Sequence, residues 1–311
     1  MSVAAIVVTY FPNVHLLSRV IIGSSAQVDR IYVIDNTPTS ALPQEQSRWL
    51  NQTWLESFGC AVEYHTLGEN RGIASAQNIG IRCALAAGYQ YLMFFDQDSF
   101  PPSNLVEALL VARQALESAG VRVGAIGPLI LDQKSNQLTP YIKASSVWVS
   151  GVSHLNMHST PSRAEYIISS GSLISASALQ EVGLMNESLF IDWVDVEWGL
   201  RAQTYGLVNY VTPTVMMDHS IGDSFVKLGS KIIYKHNDLR NFYIVRNACY
   251  LVLYGRFKFA WHFTVLTKIP LYIIFYTWSA QGSKWQVFKA LLQAVLLGIR
   301  GKLGPAPANL L

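Results

Sequence analysis

Through its first hundred residues the chain alternates short, almost wholly apolar runs with longer stretches of helical periodicity. The apolar runs are Val3–Thr9, residues 30–34 and residues 91–95, and the helical stretches are residues 14–25, 44–58 and 73–87. Near-continuous apolar strands separated by helices predict an α/β fold with a largely parallel sheet covered on both faces. Val3–Thr9 is too short for a signal peptide and lacks a basic leader, so it reads as the first buried strand. Each predicted strand ends in polar groups: Thr9-Tyr10, Asp35-Asn36 and Asp96-Gln97-Asp98. In parallel sheets ligands collect beyond the carboxyl ends of the strands, so these ends are the first functional signal.

Beyond residue 100 the pattern becomes mixed. It predicts helices over 105–118 and 194–205 and a strand over 124–131, with β-like and loop segments up to residue 170. Around residue 225 the composition changes. Residues 1–225 carry 11 Lys+Arg against 19 Asp+Glu, a net of −8, whereas residues 226–311 carry 12 against the single acid Asp238, a net of +11. A boundary is therefore expected at 225, with an acidic body and a basic tail suited to phosphate-bearing partners. Half the residues are hydrophobic, yet no run of 18 charge-free apolar residues points to a membrane span. Cys60, Cys83 and Cys249 are far apart and odd in number, which suits buried thiols in a reducing compartment rather than disulfides or a metal knot.

Three constellations carry candidate chemistry. In Phe94-Phe95-Asp96-Gln97-Asp98-Ser99, two carboxylates at i and i+2 of an extended chain would point the same way, roughly 6.5 Å apart. At the end of an apolar strand such a pair suits a hard cation, Mg²⁺ or Mn²⁺; two solvated acids in a turn are the plain alternative. In the segment 69–80, Gly72, Ala76 and Gly80 form a small-residue stripe, fit either for a ligand or for close helix–sheet packing. Arg71 at the mouth of that helix is placed to meet a phosphate. In Phe190-Ile191-Asp192-Trp193-Val194-Asp195-Val196-Glu197, helical spacing keeps Asp195 and Glu197 off a common face. Glu197 is expected to pair with Arg201 at i+4, leaving Asp195 as the candidate general base. His219, after Met216-Met217-Asp218, is by itself more often structural than a ligand.

Taken in order, these pieces resemble family 2 glycosyltransferases of the GT-A fold, especially the bacterial rhamnosyltransferase branch. The resemblance rests on Val7-Val8-Thr9-Tyr10, Val33-Ile34-Asp35-Asn36, Asn70-Arg71-Gly72-Ile73-Ala74 with Asn78 and Gly80, and Phe95-Asp96-Gln97-Asp98-Ser99. It continues through Ser170-Gly171-Ser172, the 190–198 segment and His219, spanning about residues 3–220. It implies a GT-A catalytic domain over 1–225, with a nucleotide-sugar half (1–100) and an acceptor half (101–225). Thr9, Tyr10, Asp35, Asn70, Arg71, Gly72, Asn78, Asp96 and Gln97 would bind the donor. Asp96, Asp98 and His219 would hold the divalent metal, Asp195 would be the base, and Ser170, Gly171, Ser172, Asp192 and Trp193 would line the acceptor site. Gln97 between the aspartates favours dTDP-L-rhamnose as donor. A single carboxylate base implies inversion at the anomeric carbon, and its unperturbed pKa near 3.9 would make it a weak base. The acceptor would be a lipid-linked intermediate of a bacterial surface polysaccharide of the O-antigen or capsule type.

The tail, 226–311, is expected to be a helical extension that associates with membrane or with a second subunit. Between Phe242 and Trp278 there are twelve aromatic residues in 37, mixed with Arg246, Arg256, Lys258 and Lys268. That mixture suits an anionic headgroup zone and predicts peripheral attachment to the inner face of the cytoplasmic membrane. A helical cap on the enzyme core is the competing reading. Nucleic acid is not expected, because the aromatics exceed what a phosphate-tracking surface needs. A sugar-1-phosphate nucleotidyltransferase would want a Gly-rich basic loop where Val8-Thr9-Tyr10-Phe11-Pro12 stands. The absence of a Walker loop or GxGxxG fingerprint removes kinases and dehydrogenases. A nucleotide-sugar-binding scaffold without turnover is the rival from another class.

Overall fold

The computed structural model describes residues 1–41, 54, 57–58, 61–152, 160–219, 224–228, 231–307 and 310. Most of the helix expected over 44–58, and Cys60, lie outside them. Strands β1 (Val3–Thr9), β2 (Arg30–Asp35), β3 (Val62–Thr66) and β4 (Tyr91–Asp96) pair in parallel in the order β3-β2-β1-β4. Helices α1 (Val14–Ser25) and α2 (Ile73–Ala86) connect them, with β3 lying between. β3 has no counterpart among the expected strands. As an edge strand reading Val-Glu-Tyr-His-Thr, it is only half-buried and lacks the apolar run that marks its neighbours.

Helix α3 (Leu105–Ser118) leads to the second half of the sheet, built on β5 (Val123–Asp132) and β11 (Val208–His219), which are parallel to each other. The short β10 (Leu173–Ser175) runs antiparallel between β4 and β5 and joins the halves, and β9 (Ser162–Ala164) closes the far edge. β6 (Gln137–Leu138) pairs with β5, while β7 (Tyr141–Ala144) and β8 (Val149–Val152) form a separate hairpin. The sheet is therefore mixed, and parallel in its N-terminal half.

Both faces are covered, as the apolar runs require. Ala4 and Ile6 of β1 pack under α2, while Val3, Ala5 and Val7 face α1 and α3 on the other side. The small-residue stripe of α2 serves this packing. A Cβ on Gly80 would come within 2.6 Å of Ile6, and the chain at Gly72 passes directly against Phe190.

Helices α4 (Ala176–Val182) and α5 (Val194–Thr204) precede β11. The hairpin β12 (Ser224–Leu228) and β13 (Lys231–Lys235) straddles residue 225, and three helices follow: α6 (Asp238–Tyr254), α7 (Phe259–Trp278) and α8 (Lys284–Ile299). These share a third apolar core with Val149, Phe190 and Leu200 of the body. By length and composition α7 is apolar enough to cross a membrane: an 18-residue window has mean hydropathy 1.2, a third of it is buried inside the protein, and Lys268 is the helix's only Lys, Arg, Asp or Glu. Lys268 interrupts what would otherwise be a charge-free run, so the helix carries no 18-residue charge-free apolar stretch.

Candidate active site

The strand ends β1, β2, β4 and β11 open onto one cleft of about 620 Å³. It lies where the strand order reverses around β1 and β4, the place an open α/β sheet leaves a crevice. Asp96 and Gln97 line it from the end of β4, His219 from the end of β11, and Asp195 from the first turn of α5.

Asp96 is the last residue of β4, but Asp98 lies in the turn that follows rather than on extended chain. The turn is closed by the Ser99 N–H to the Asp96 carbonyl (3.1 Å) and by the Asp96 N–H to Ser99 Oγ (3.0 Å). It brings one oxygen from each carboxylate and an imidazole nitrogen of His219 within 4.8 Å of one another. His219 Nε2 stands 3.6 Å from Asp96 Oδ2, and among the described residues the buried Nδ1 has no hydrogen-bond partner. Burial, and then repulsion from Asp96, push the Asp98 carboxyl above the usual range, with His219 acting against them. Two crowded carboxylates with an imidazole nitrogen beside them fit a divalent cation.

Across the cleft, the Asp195 carboxylate accepts the N–H of Val196 (2.8 Å) and of Ser169 (3.2 Å). Burial is the main cause that raises its pKa to about 6; those two N–H bonds oppose the shift, and Asp96 and Asp192 add to it. The Asp195 carboxylate is thus more basic than that of an unperturbed aspartate. Glu197 turns the other way and pairs with Arg201 at 2.8 Å, as helical spacing predicts.

The remaining candidates divide between the cleft and its supports. Thr9, Tyr10, Asn70, Gly72 and Gln97 line the cleft, and so do Ser170, Asp192 and Trp193. The Tyr10 N–H donates to Gln97 Oε1 at 2.8 Å, which couples the ends of β1 and β4. Asp35 does not line the cleft. Its buried carboxylate accepts from the Thr9 and Thr37 hydroxyls (3.0 and 2.6 Å), the Thr37 N–H (3.1 Å) and the Tyr64 hydroxyl (2.5 Å), so it holds the loop after β2. Asn78 is likewise structural: its carboxamide bonds the N–H and carbonyl of Met185 and the Glu187 carboxylate.

Arg71 is turned to Glu69 at 3.0 Å and is not among the lining residues. The backbone amides of this loop are already engaged. Arg71 N–H donates to Asn36 Oδ1, Gly72 N–H to Asn70 Oδ1 and Ile73 N–H to the Phe190 carbonyl. Gly171, at φ 82°, packs against Met217 and Pro128 behind the cleft. Ser172 lines a water-sized recess shared with Asp195 and Gln77.

Several lining residues carried no assigned role in the sequence: Asn36, Gln77, Ser169, Phe190 and Arg240. Asn36, Gln77 and Phe190 sit within or beside the recognised segments, and Ser169 adjoins Ser170. Arg240 comes from α6 in the basic tail and binds the Asp192 carboxylate, Nε lying 3.0 and 3.1 Å from its two oxygens. No local pattern signals that reach.

A half-parallel mixed sheet with this cleft at its reversal point is the GT-A framework of glycosyltransferases. The crystal structure of S. aureus TarS residues 1–349 in complex with UDP-GlcNAc superposes with a TM-score of 0.56 at 11% identity, over 97% of this chain and 84% of that one. The mannosyltransferase PcManGT from Pyrobaculum calidifontis, in complex with GDP-Man and Mn²⁺, gives 0.54 at 14% identity, over 96% and 87%. In sequence, the model of Glycosyl transferase family 2 matches residues 5–183. The chain is also 31% identical over 313 residues to dTDP-rhamnosyl transferase RfbF of Shigella flexneri, with 99% of each chain covered. It belongs to glycosyl transferase family 2 and is a glycosyltransferase.

Proposed function

We propose that the enzyme transfers L-rhamnose from dTDP-L-rhamnose, with inversion, to a hydroxyl of a lipid-linked intermediate of a bacterial surface polysaccharide. The observation that carries the reaction type is the meeting of Asp195, Asp96 and His219 on the walls of one cleft. The full-length likeness to a rhamnosyl transferase supports the donor.

Thr9, Tyr10, Asn70 and Gly72 would hold the nucleoside side of the donor, with Gln97 bridging to the sugar side. Asp96, Asp98 and His219 would hold Mg²⁺ or Mn²⁺, which supplies positive charge against the diphosphate as it departs. Asp195 would take the proton of the acceptor hydroxyl on a carboxylate oxygen. Its two backbone N–H bonds fix the carboxylate, and its raised pKa brings it toward neutrality, where a general base is most effective. No second carboxylate is required as a nucleophile, which favours single displacement. Asp192, Trp193 and Ser170 would present the acceptor.

The extension would keep the enzyme at the inner face of the cytoplasmic membrane. Phe259, Phe263, Leu266, Leu271, Ile274 and Trp278 form one exposed stripe along α7, while Trp261, Val265, Ile269 and Tyr276 pack inward. An outward apolar stripe in a segment of net charge +11 favours anionic lipid over a second, equally basic copy.

The test is a turnover screen across nucleotide sugars, with and without Mn²⁺. Metal-dependent turnover of dTDP-L-rhamnose above all others is expected. Preference for a UDP- or GDP-sugar would reassign the donor, and binding without turnover of any donor would favour a scaffold.

A further inference from the structure

The segment that leads into α5 has an unusual backbone. Phe190, Asp192 and Trp193 all have positive φ, at 67°, 61° and 65°, although none is glycine. Phe190, with ψ −66°, is the centre of a γ-turn closed by the Ile191 N–H on the Leu189 carbonyl at 2.8 Å. Trp193 occupies the left-handed region at the helix N-cap and supplies no side-chain cap. Such conformations persist only where their surroundings over-determine them. Asp195 follows two residues later, so the backbone here sets where its carboxylate stands.

The surroundings are largely one helix of the C-terminal extension. The Asn247 carboxamide, wholly buried, donates to the carbonyls of Leu189 and Ile191 at 2.9 Å and of Asp192 at 3.2 Å. Arg246 Nη2 donates to Leu189 O at 3.1 Å, and Trp193 Nε1 donates to the Ile244 carbonyl at 3.1 Å. Phe190 stacks on Tyr243 with ring centroids 5.1 Å apart and planes 13° from parallel. Arg240 holds the Asp192 side chain. Every residue from Leu189 to Trp193 thus meets α6 through a carbonyl, a ring or a carboxylate.

We infer that α6 is a positioning element of the active site, in which Asn247 and the Tyr243 ring hold the strained 189–193 turn so that Asp195 faces the donor site. The inference rests on Asp195 being the base. The extension is then required for turnover by the folded enzyme, separately from any attachment role.

The experiment measures kcat and donor KM for Asn247→Ala, Tyr243→Leu and Tyr243→Phe in the full chain, with folding checked by circular dichroism and melting. Asn247→Ala and Tyr243→Leu should lower kcat by about tenfold or more with donor KM within about twofold, since misplacing a catalytic group costs rate rather than donor binding. Tyr243→Phe keeps the ring while losing the hydroxyl bond to the Ala306 N–H, and should retain near-native kcat. If Asn247→Ala does not fold, the Tyr243 pair decides. Equal kcat in Tyr243→Leu and Tyr243→Phe, or a folded Asn247→Ala with native kcat, overturns the inference. If Asp195→Asn is itself fully active, the assignment of the base has failed instead.

Discussion

His219 at the end of β11 stands with Nε2 3.6 Å from Asp96 Oδ2 at the end of β4, although β10 and β5 separate the two strands in the sheet. Strand β4 and the long β11 thus deliver a carboxylate and an imidazole to the same corner of the cleft. Asp98, one turn position beyond Gln97, completes the group.

That corner predicts a metal response that does not depend on turnover. Mn²⁺ should raise the melting temperature of the wild type but not of Asp98→Ala or His219→Ala, and donor affinity in Mn²⁺ should fall about tenfold or more in both variants. Asp98→Asn should melt higher than wild type in EDTA, because it removes a carboxylate that burial and Asp96 destabilise. Thermal shift with and without Mn²⁺ and donor titration check this; equal metal stabilisation in all variants would reject the site.

The raised pKa of Asp195 sets a pH dependence. As the proposed base, Asp195 works ionised, so kcat/KM should fall about tenfold per pH unit below about 6. For stability the sign is opposite. A carboxyl raised from 3.8 to about 6 on folding weakens the fold when ionised: the penalty is absent below pH 4 and complete above 6. Asp195→Asn should therefore be more stable than wild type at pH 7.5, by up to about 3 kcal/mol, with the gap closing toward pH 4. Denaturant melts at the two pH values measure it.

Arg201 predicts a purely structural loss. It pairs with the buried Glu197 and donates to the carbonyls of Val182 (2.6 Å) and Leu184 (2.8 Å). Arg201→Ala should cost about 3–5 kcal/mol by stranding a buried carboxylate. In urea the midpoint should drop, while donor KM in the folded enzyme stays near native.

The α7 stripe predicts lipid attachment. Wild type should sediment with vesicles containing phosphatidylglycerol, and Leu271→Lys with Ile274→Lys should abolish this without changing hydrolysis of soluble donor. Wild-type protein left in the supernatant would reject the attachment.

What the sequence made legible follows from how local each signal is. Apolar runs ending at Thr9, Asp35 and Asp96 located the cleft, because a strand end is fixed by its own residues. Helical spacing alone separated Asp195 from Glu197. Asp35 and Asn78 lie in segments that carry the family likeness but bond Tyr64 and Met185, and no spacing reveals whether a polar side chain turns to the cleft or into the scaffold. Asp98 was expected on extended chain, whereas the bonds between Ser99 and Asp96 fold it into a turn. Arg240 and Asn247 were invisible as site supports, because their partners in the 189–193 turn reach them only through tertiary packing.

The most direct test of the catalytic account is the Asp195→Asn enzyme, in which dTDP-L-rhamnose binding and sugar transfer are measured on the same preparation. The cleft geometry predicts a donor dissociation constant within about twofold of wild type and transfer slower by about 10²–10⁴-fold. Transfer at the wild-type rate would remove Asp195 from the chemistry and contradict the account.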